Sequence, residues 1–554
     1  MLNFTDPHAL LERLHDDGDA SVAEQIDTFA RTLGEEQFRR FAASQLVKLA
    51  RPEQAVPAGL THFAPLIYDG IEFFLARINS RRLTSAIVAQ VRLDPAAGAG
   101  ERLLVLAYEF PTLHKLAQII ARHPGLDPAV KTWLIPLESG VARSDPEPIK
   151  AKIKKLADQS GYDCTFSEEI MDIAEASVAQ VVPVVLSKRN CSERFIGVAK
   201  TLKPGVAEQL HEELAIMAEA AAHFSSRRAL YGLRSLELGS LFAEVRVDLI
   251  REVDLRAEQR NLDAAVRLYE KVSGVEVPRR YGLCNESVTT MSFVAGVKLP
   301  DLKLPDSARQ MVARQVFAGI ICTPLFARED IALFHGDPHA GNIVARYDEA
   351  AGQTCIGLLD WTLAGRLDRR TRLHLMDLLC GVAARDGGRI GRVVGELARE
   401  SISTAKIRGH LQNLLHDESF GSMGPLTRGF HILEQLSMEG VVFTSELILF
   451  RKSFFTLEGV LADLSPGFDM DAAMASYLGE LLVREAGYRM TTALMPGFDV
   501  ASLYPSMLSN RDLAGLSWVQ LVEHWQRTAQ VSWSLVDVYH RAVAAFFGMS
   551  DVGR

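Results

Sequence analysis

His335-Gly336-Asp337-Pro338-His339-Ala340-Gly341-Asn342 is the stretch on which the reading of this chain turns. Gly336, Pro338 and Gly341 keep a regular helix out of it, because proline lacks a backbone donor and glycine leaves the backbone unrestricted. Downstream, Ile343 to Tyr347 is a short apolar run, Asp348 to Gln353 a polar turn, and Cys355 to Leu359 a second apolar run. Two such runs joined by a glycine-containing turn predict a β-hairpin. In a hairpin the start of the first strand and the end of the second are neighbours. Asn342 and Asp360 are therefore expected side by side, with Asp337 on the loop before them.

An amide oxygen and a carboxylate converging beside a second carboxylate suit a hard cation such as Mg2+, which takes a few protein oxygens and completes its shell with phosphate oxygens. Asp-x-x-x-x-Asn, a hairpin and then Asp is the kinase arrangement. In it the first Asp accepts the proton of the attacking hydroxyl, and the Asn and the second Asp hold the metal. Two plainer readings compete. His335 and His339 lie four apart and suggest zinc, but Gly336 and Pro338 block the helix that would put them on one face. Asp337 could also be a capping residue in a purely structural loop.

The bulk composition is that of an ordinary globular protein. The 554 residues allow three to four domains. The net charge of −9, with no basic stripe, argues against nucleic acid as a partner. Six scattered cysteines form no Cys-x-x-Cys pair, so neither a zinc nor a redox site is suggested. No apolar run reaches the ~18 residues of a membrane-spanning helix, and no signal peptide is read at the start. A reduced cytoplasmic protein is the default expectation.

Residues 1–93 read as helical, 94–100 as a loop, and 101–123 as one further helix. Val181 to Leu186, Phe195 to Lys200 and Val288 to Val294 read as strands. The stretch 204–272 is helix-rich, a helix is expected from Ser307 to Phe326, and helices follow the hairpin. Lys200 closes an apolar strand. Arg251 to Asn261 reads as one helix, with Asp254, Glu258 and Asn261 on one face and Glu252 and Glu258 about 120° apart. Two glutamates on different sides predict different partners, one of them Lys200. An exposed, salt-bridged helix is the plain alternative.

Taken together these segments resemble the AarF/UbiB family of atypical kinases, over residues 109–470. Lys115-Leu-Ala-Gln118 resembles the family's Lys-x-Gly-Gln motif, and Ala174-Glu-Ala-Ser-Val-Ala-Gln180 its Ala-rich loop. Lys200 matches the strand lysine, Glu252-Val-Asp254 the Glu-x-Asp motif, and Glu258 the helix glutamate. His335 to Asn342 and Asp360 match the catalytic and metal motifs, and Leu457 to Val460 with Pro466 the end-of-lobe segment.

The resemblance implies an α+β, protein-kinase-like bilobal fold with a helical N-terminal extension and a helical C-terminal region. The implied divisions are 1–100, 101–165, 166–297 for the N-lobe, 298–470 for the C-lobe, and 471–554. It implies ATP and Mg2+ as cofactors, with Asp337, Lys200 and Glu258 catalytic and Asn342 and Asp360 on the metal. Ala174, Ala176, Ser177, Val178, Ala179, Gln180 and Lys200 would face the nucleotide. Lys115, Gln118, Glu252 and Asp254 would be regulatory, with an ion pair from Lys115 to Glu252 closing the site to protein substrates. The implied partners are a nucleotide and a small-molecule or lipid acceptor, quinone-like or isoprenoid.

The chain departs from the pattern at named positions. Ala117 replaces a glycine, Glu175 brings negative charge into the loop expected to cover phosphates, and Asp360-Trp361-Thr362 stands for Asp-Phe-Gly. Gly336 replaces the arginine of His-Arg-Asp, and no Ala-Pro-Glu follows, so a regulated peptide kinase is not expected. An aminoglycoside- or choline-kinase-like enzyme fits the central motif but leaves Lys115 to Gln118 and Glu252 to Asp254 unexplained. A nucleotide-sensing scaffold is the non-enzymatic reading. The last segment carries Trp518, Trp525, Trp533, Phe546 and Phe547. Val531 to Phe547 reads either as a helix packed on the lobe or as an amphipathic helix making peripheral membrane contact.

Overall fold

In the computed structural model the described residues are 18–55, 61, 64–121, 145–167, 169–176, 178–189, 194–227, 230–231, 238–399, 423–494 and 504–516. The chain divides into two compact units, residues 1–257 with 281–293, and residues 258–280 with 294–554.

The first unit begins with helices α1 (Asp19–Leu33), α2 (Glu35–Ala50), α3 (Ala64–Leu75), α4 (Ser80–Val91), α5 (Ala99–Glu109) and α6 (Pro111–Ala121). The single helix expected over 101–123 is thus two. Pro111 opens the second, at the position where its missing N–H costs nothing, and Phe110 between them is fully buried. After α7 (Glu147–Gln159) come β1 (Tyr162–Phe166), β2 (Ala174–Glu175), β3 (Ala179–Lys188) and β4 (Arg194–Leu202). Helices α8 (Val206–Ser226) and α9 (Leu238–Val253) follow, then α10 (Leu255–Tyr269).

Strands β5 (Val275–Glu276), β6 (Arg280–Cys284) and β7 (Val288–Ser292) come next. The sheet of the first unit runs β1-β3-β4-β7-β6, with β2 on β3. Strand β3 is buried almost throughout, as an apolar run covered on both faces should be. Ile149, Ile153 and Ala157 of α7 pack on Val182, Val184, Leu186 and Ala199. A second core joins the helical extension to one end of the sheet and to α8, with Val47, Leu75, Leu83 and Phe110 in one cluster with Val178, Leu202 and Leu210.

Residues 251–261 do not form one helix. The break falls at Asp254, whose carboxylate accepts the Ala257 N–H at 2.9 Å. Asp254 is therefore the N-cap of α10 rather than a residue on its face.

The second unit contains β8 (Val297–Lys298), α11 (Asp306–Phe317), a π turn at Ala318–Cys322 and α12 (Thr323–Phe326). Then come β9 (Ile331–His335), β10 (Ile343–Asp348), β11 (Gln353–Leu358) and β12 (Ala364–Asp368). Helices α13 (Arg369–Ala383), α14 (Gly387–Leu397), α15 (Pro425–Met438), α16 (Ser445–Leu464), α17 (Met470–Leu494) and α18 (Asn510–Leu516) complete it. The expected hairpin is present, with Ile343 opposite Leu358. Asp348 turns it by accepting the N–H groups of Ala350 and Ala351 at 3.0 and 3.1 Å, and Gly352 takes the left-handed φ of +60°. Strands β9 and β12, which sequence periodicity did not reveal, pair His335 with Ala364.

Arg372 of α13 is fully buried. It donates to the carbonyls of Pro324 and Ala327 at 3.3 and 2.6 Å, and also to that of Glu329, fixing the approach to β9. No described helix is long and apolar enough to cross a membrane. Val531 to Phe547 and the aromatic residues of 518–547 lie outside the described residues.

Candidate active site

Strand β9 ends at His335, and the chain then folds over rather than continuing. Gly336 donates its N–H to Leu363 O at 2.8 Å. A Cβ on it would lie 2.8 Å from Leu363 Cγ and 2.9 Å from Leu363 O, so only glycine fits. The missing arginine of His-Arg-Asp thus has a local steric cause.

His335 is buried, and burial lowers its pKa, so it is neutral. Its Nδ1 accepts the Asp337 N–H at 3.3 Å, which leaves Nε2–H to donate to Leu359 O at 2.8 Å. Ser453 of α16 donates to His335 O at 2.7 Å. His339 Nδ1 accepts the Gly341 N–H at 3.1 Å. With both ring nitrogens of His335 committed to backbone, the zinc reading finds no support. Among the described residues no group of three or more His, Cys, Asp or Glu is placed to hold a metal.

The hairpin brings the expected pair together. Leu359 N donates to Asn342 O at 2.8 Å, so pairing continues one step past the strands to the residue before Asp360. Asn342 Nδ2 donates to Asp337 O at 3.1 Å. This anchors the side-chain amide, whose oxygen is the atom it can offer a cation. Asp360 carries an exposed side chain and a left-handed φ of +48°, rare for a residue with a Cβ and common at functional sites. Its Oδ1 accepts the Thr362 N–H at 3.1 Å. An amide oxygen and a carboxylate at one open hairpin end fit an Mg2+ whose shell is completed by phosphate oxygens.

Trp361, in the place of phenylalanine, is buried against His335 and Tyr269, with ring centroids 4.8 and 6.0 Å away. Asn261 of α10 donates to Trp361 O at 3.1 Å. Glu258 on the same helix is buried.

In the first unit, Lys200 is buried on β4 between Val181 of β3 and Thr289 of β7. The Ala-rich segment is the β2–β3 turn, with Ala174 opposite Val181 and Glu175 opposite Gln180. Ala176 N donates to Ala179 O at 2.8 Å and Lys203 N to Val178 O at 3.0 Å; Ser177 lies outside the described residues. The charge expected at Glu175 is not presented to a ligand. Its carboxylate is buried in an ion pair with Lys203 Nζ at 2.6 Å, and Gln180 Nε2 lies 3.5 Å from its other oxygen. Lys203 was not singled out by sequence, and its separation from Glu175 leaves no local signal that would have found it.

Lys115 of α6 forms an ion pair with Glu252 at the end of α9, both largely shielded from solvent. Gln118 lies on the same helix as Lys115, and its side chain is outside the described residues.

A buried neutral histidine, an Asp-to-Asn loop and a hairpin-end aspartate thus stand together on an α+β, protein-kinase-like scaffold. Residues 137–394 match the ABC1 atypical kinase-like domain. The chain is 27% identical over 395 residues to the uncharacterized protein Rv0647c of Mycobacterium tuberculosis, covering 67% of this chain and 76% of that one. It is 22% identical over 414 residues to a probable protein kinase UbiB of Xylella fastidiosa, covering 72% and 71%. Among solved structures it is similar to the complex of Rv3197 with erythromycin from Mycobacterium tuberculosis, at TM-score 0.38 and 14% identity, over 57% of this chain and 79% of that chain. These matches support the resemblance to the AarF/UbiB family of atypical kinases.

Proposed function

We propose that the chain binds ATP with Mg2+ and acts as a phosphotransferase or ATPase on a small-molecule or lipid acceptor. The observation that supports this is the meeting of Asn342 and Asp360 at the open hairpin end, where Leu359 N donates to Asn342 O and the Asn342 side-chain amide is anchored on Asp337 O. Those two residues would hold the metal, which neutralises charge on the transferred phosphoryl group. Asp337 accepts the proton of the attacking hydroxyl, of acceptor or of water, as its oxygen bonds to the γ-phosphorus and ADP leaves. Replacing such a base costs roughly 10²–10⁴-fold in rate. Lys200 and Glu258 would position phosphates, and Ala174, Ala176, Ser177, Val178, Ala179 and Gln180 would serve as nucleotide-binding residues.

The Lys115–Glu252 pair supports a regulatory role for α6, with Gln118 and Asp254 as its neighbours in the two motifs. Gly336 leaves no arginine to read a phosphorylated loop, which favours a small acceptor over a peptide. The family resemblance makes quinone-like and isoprenoid lipids the first acceptors to screen, with peripheral membrane contact through residues 531–547. The net charge of −9 favours no nucleic-acid partner.

The test is thermal unfolding of wild type and Asp360→Asn with and without Mg-ATP. A ligand at 100 times its Kd adds about 2.7 kcal/mol, a shift of several degrees. The expected result is a shift in wild type that disappears in Asp360→Asn. No shift in wild type at millimolar Mg-ATP overturns the reading and leaves a scaffold.

A further inference from the structure

Asp360 is a non-glycine residue held at a left-handed φ of +48°, a conformation that persists only where neighbours enforce it. The carbonyls of the residues before and after it, Leu359 and Trp361, are both clamped by buried side chains. Before it, His335 Nε2 bonds Leu359 O at 2.8 Å. After it, Asn261 Nδ2 donates to Trp361 O at 3.1 Å. The histidine belongs to the catalytic motif. The asparagine does not, since it comes from α10, one turn beyond Glu258.

Asn261 is itself held. Arg366 of β12 donates to its Oδ1 at 3.1 Å, which fixes which end of the amide faces Trp361. Asn261 is largely buried, so its hydrogen bonds face little competition from solvent. Trp361 is locked from its other edge, its Nε1 donating to Leu358 O at 3.1 Å and its ring lying against His335 and Tyr269. Tyr269 closes the same helix, and its hydroxyl donates to Gly319 O at 2.8 Å. Helix α10 therefore grips Trp361 twice, through Asn261 at mid-helix on its backbone and through Tyr269 at the helix end on its ring. Thr362, β-branched where kinases carry glycine, adds stiffness to the same turn.

We infer that Asn261 is a positioning residue for the metal. It holds Asp360 in the cation-ready conformation and ties that conformation to the seat of α10. Groups that orient a metal ligand, without touching the metal, typically change metal affinity by 10–100-fold when removed. The inference rests on the Mg-ATP reading above and names a control element of that site.

The experiment is a titration of Mg2+ at fixed ATP, read as the rise in melting temperature of the full chain, for wild type, Asn261→Ala, Asn261→Asp and Arg366→Gln. Asn261→Asp keeps the shape but cannot donate to Trp361 O. The expected result is an Mg2+ midpoint raised roughly 10-fold or more in both Asn261 variants, and raised less, in the same direction, in Arg366→Gln. The shift at saturating Mg2+ should remain. A merely structural asparagine would lower the ligand-free melting temperature and leave the midpoint where it was, and that outcome overturns the inference. Should Asn261→Ala fail to fold, Asn261→Asp and Arg366→Gln carry the same test. Absence of any Mg-ATP shift in wild type refutes the nucleotide reading instead, and is distinguished by that control.

Discussion

Replacing Gly336 by alanine tests whether the loop before Asp337 is closed to side chains by its own backbone. The added Cβ would sit 2.8 Å from Leu363 Cγ and 2.9 Å from Leu363 O. The leucine side chain could rotate away, but the carbonyl could not easily follow. It accepts the Gly336 N–H at 2.8 Å, and the next residue, Ala364, is paired with His335. Overpacking of this kind costs about 1–3 kcal/mol, and weakening the adjoining hydrogen bond adds about 0.5–1.5 kcal/mol. A loss of roughly 2–4 kcal/mol corresponds to a melting temperature lower by about 4–16 °C for a unit of this size. The assay is calorimetric or circular-dichroism melting without Mg2+ or ATP, so that stability is read apart from binding. The shift belongs to the transition of the unit holding residues 294–554. Adding Leu363→Ala removes the Cγ contact but not the carbonyl, so about half the loss should return. A Gly336→Ala chain melting within about 1 °C of wild type would refute the steric argument. The absence of arginine before Asp337 would then need another cause.

A double-mutant cycle on Lys115→Ala and Glu252→Ala should give a coupling of about 0.5–3 kcal/mol in urea unfolding, because the pair is shielded from solvent. Single effects that simply add would mean the ion pair contributes nothing. Arg372→Met should lower stability by about 3 kcal/mol or more, since the carbonyls of Pro324, Ala327 and Glu329 lose their shared buried donor. Urea midpoints indistinguishable from wild type would contradict that account.

The hairpin and the placing of Asn342 and Asp360 at its open end were legible because their logic is local. Apolar runs, a polar turn and the residues flanking them lie within one short stretch, and register follows from the turn. The strand carrying Lys200 was legible for the same reason. The break at Asp254 was readable in principle, as an Asp before Leu255-Arg256-Ala257 is an ordinary N-cap signal, but the continuous helical composition on both sides hid it. The split at Phe110 was likewise announced by Pro111. Strands β9 and β12 escaped because each is short and defined only by pairing with the other. The neutralisation of Glu175 by Lys203 and the clamp of Asn261 on Trp361 escaped because they join residues far apart in sequence. Propensity and spacing carry no trace of such contacts.

The hairpin has a consequence for the order in which the chain assembles. Asn342 and Asp360 meet through a turn of a few residues, and closing so short a loop costs little chain entropy and takes well under a millisecond. The Asn261 clamp must bridge a separation of 100 residues, and contacts of that range form late because their entropy is lost before they repay it. A refolding chain would therefore bring Asn342 and Asp360 together while the helix that clamps the Asp360 turn is still arriving. On the proposed Mg2+ role, an early pair would bind loosely, and tight binding would report that the last long-range contact has closed.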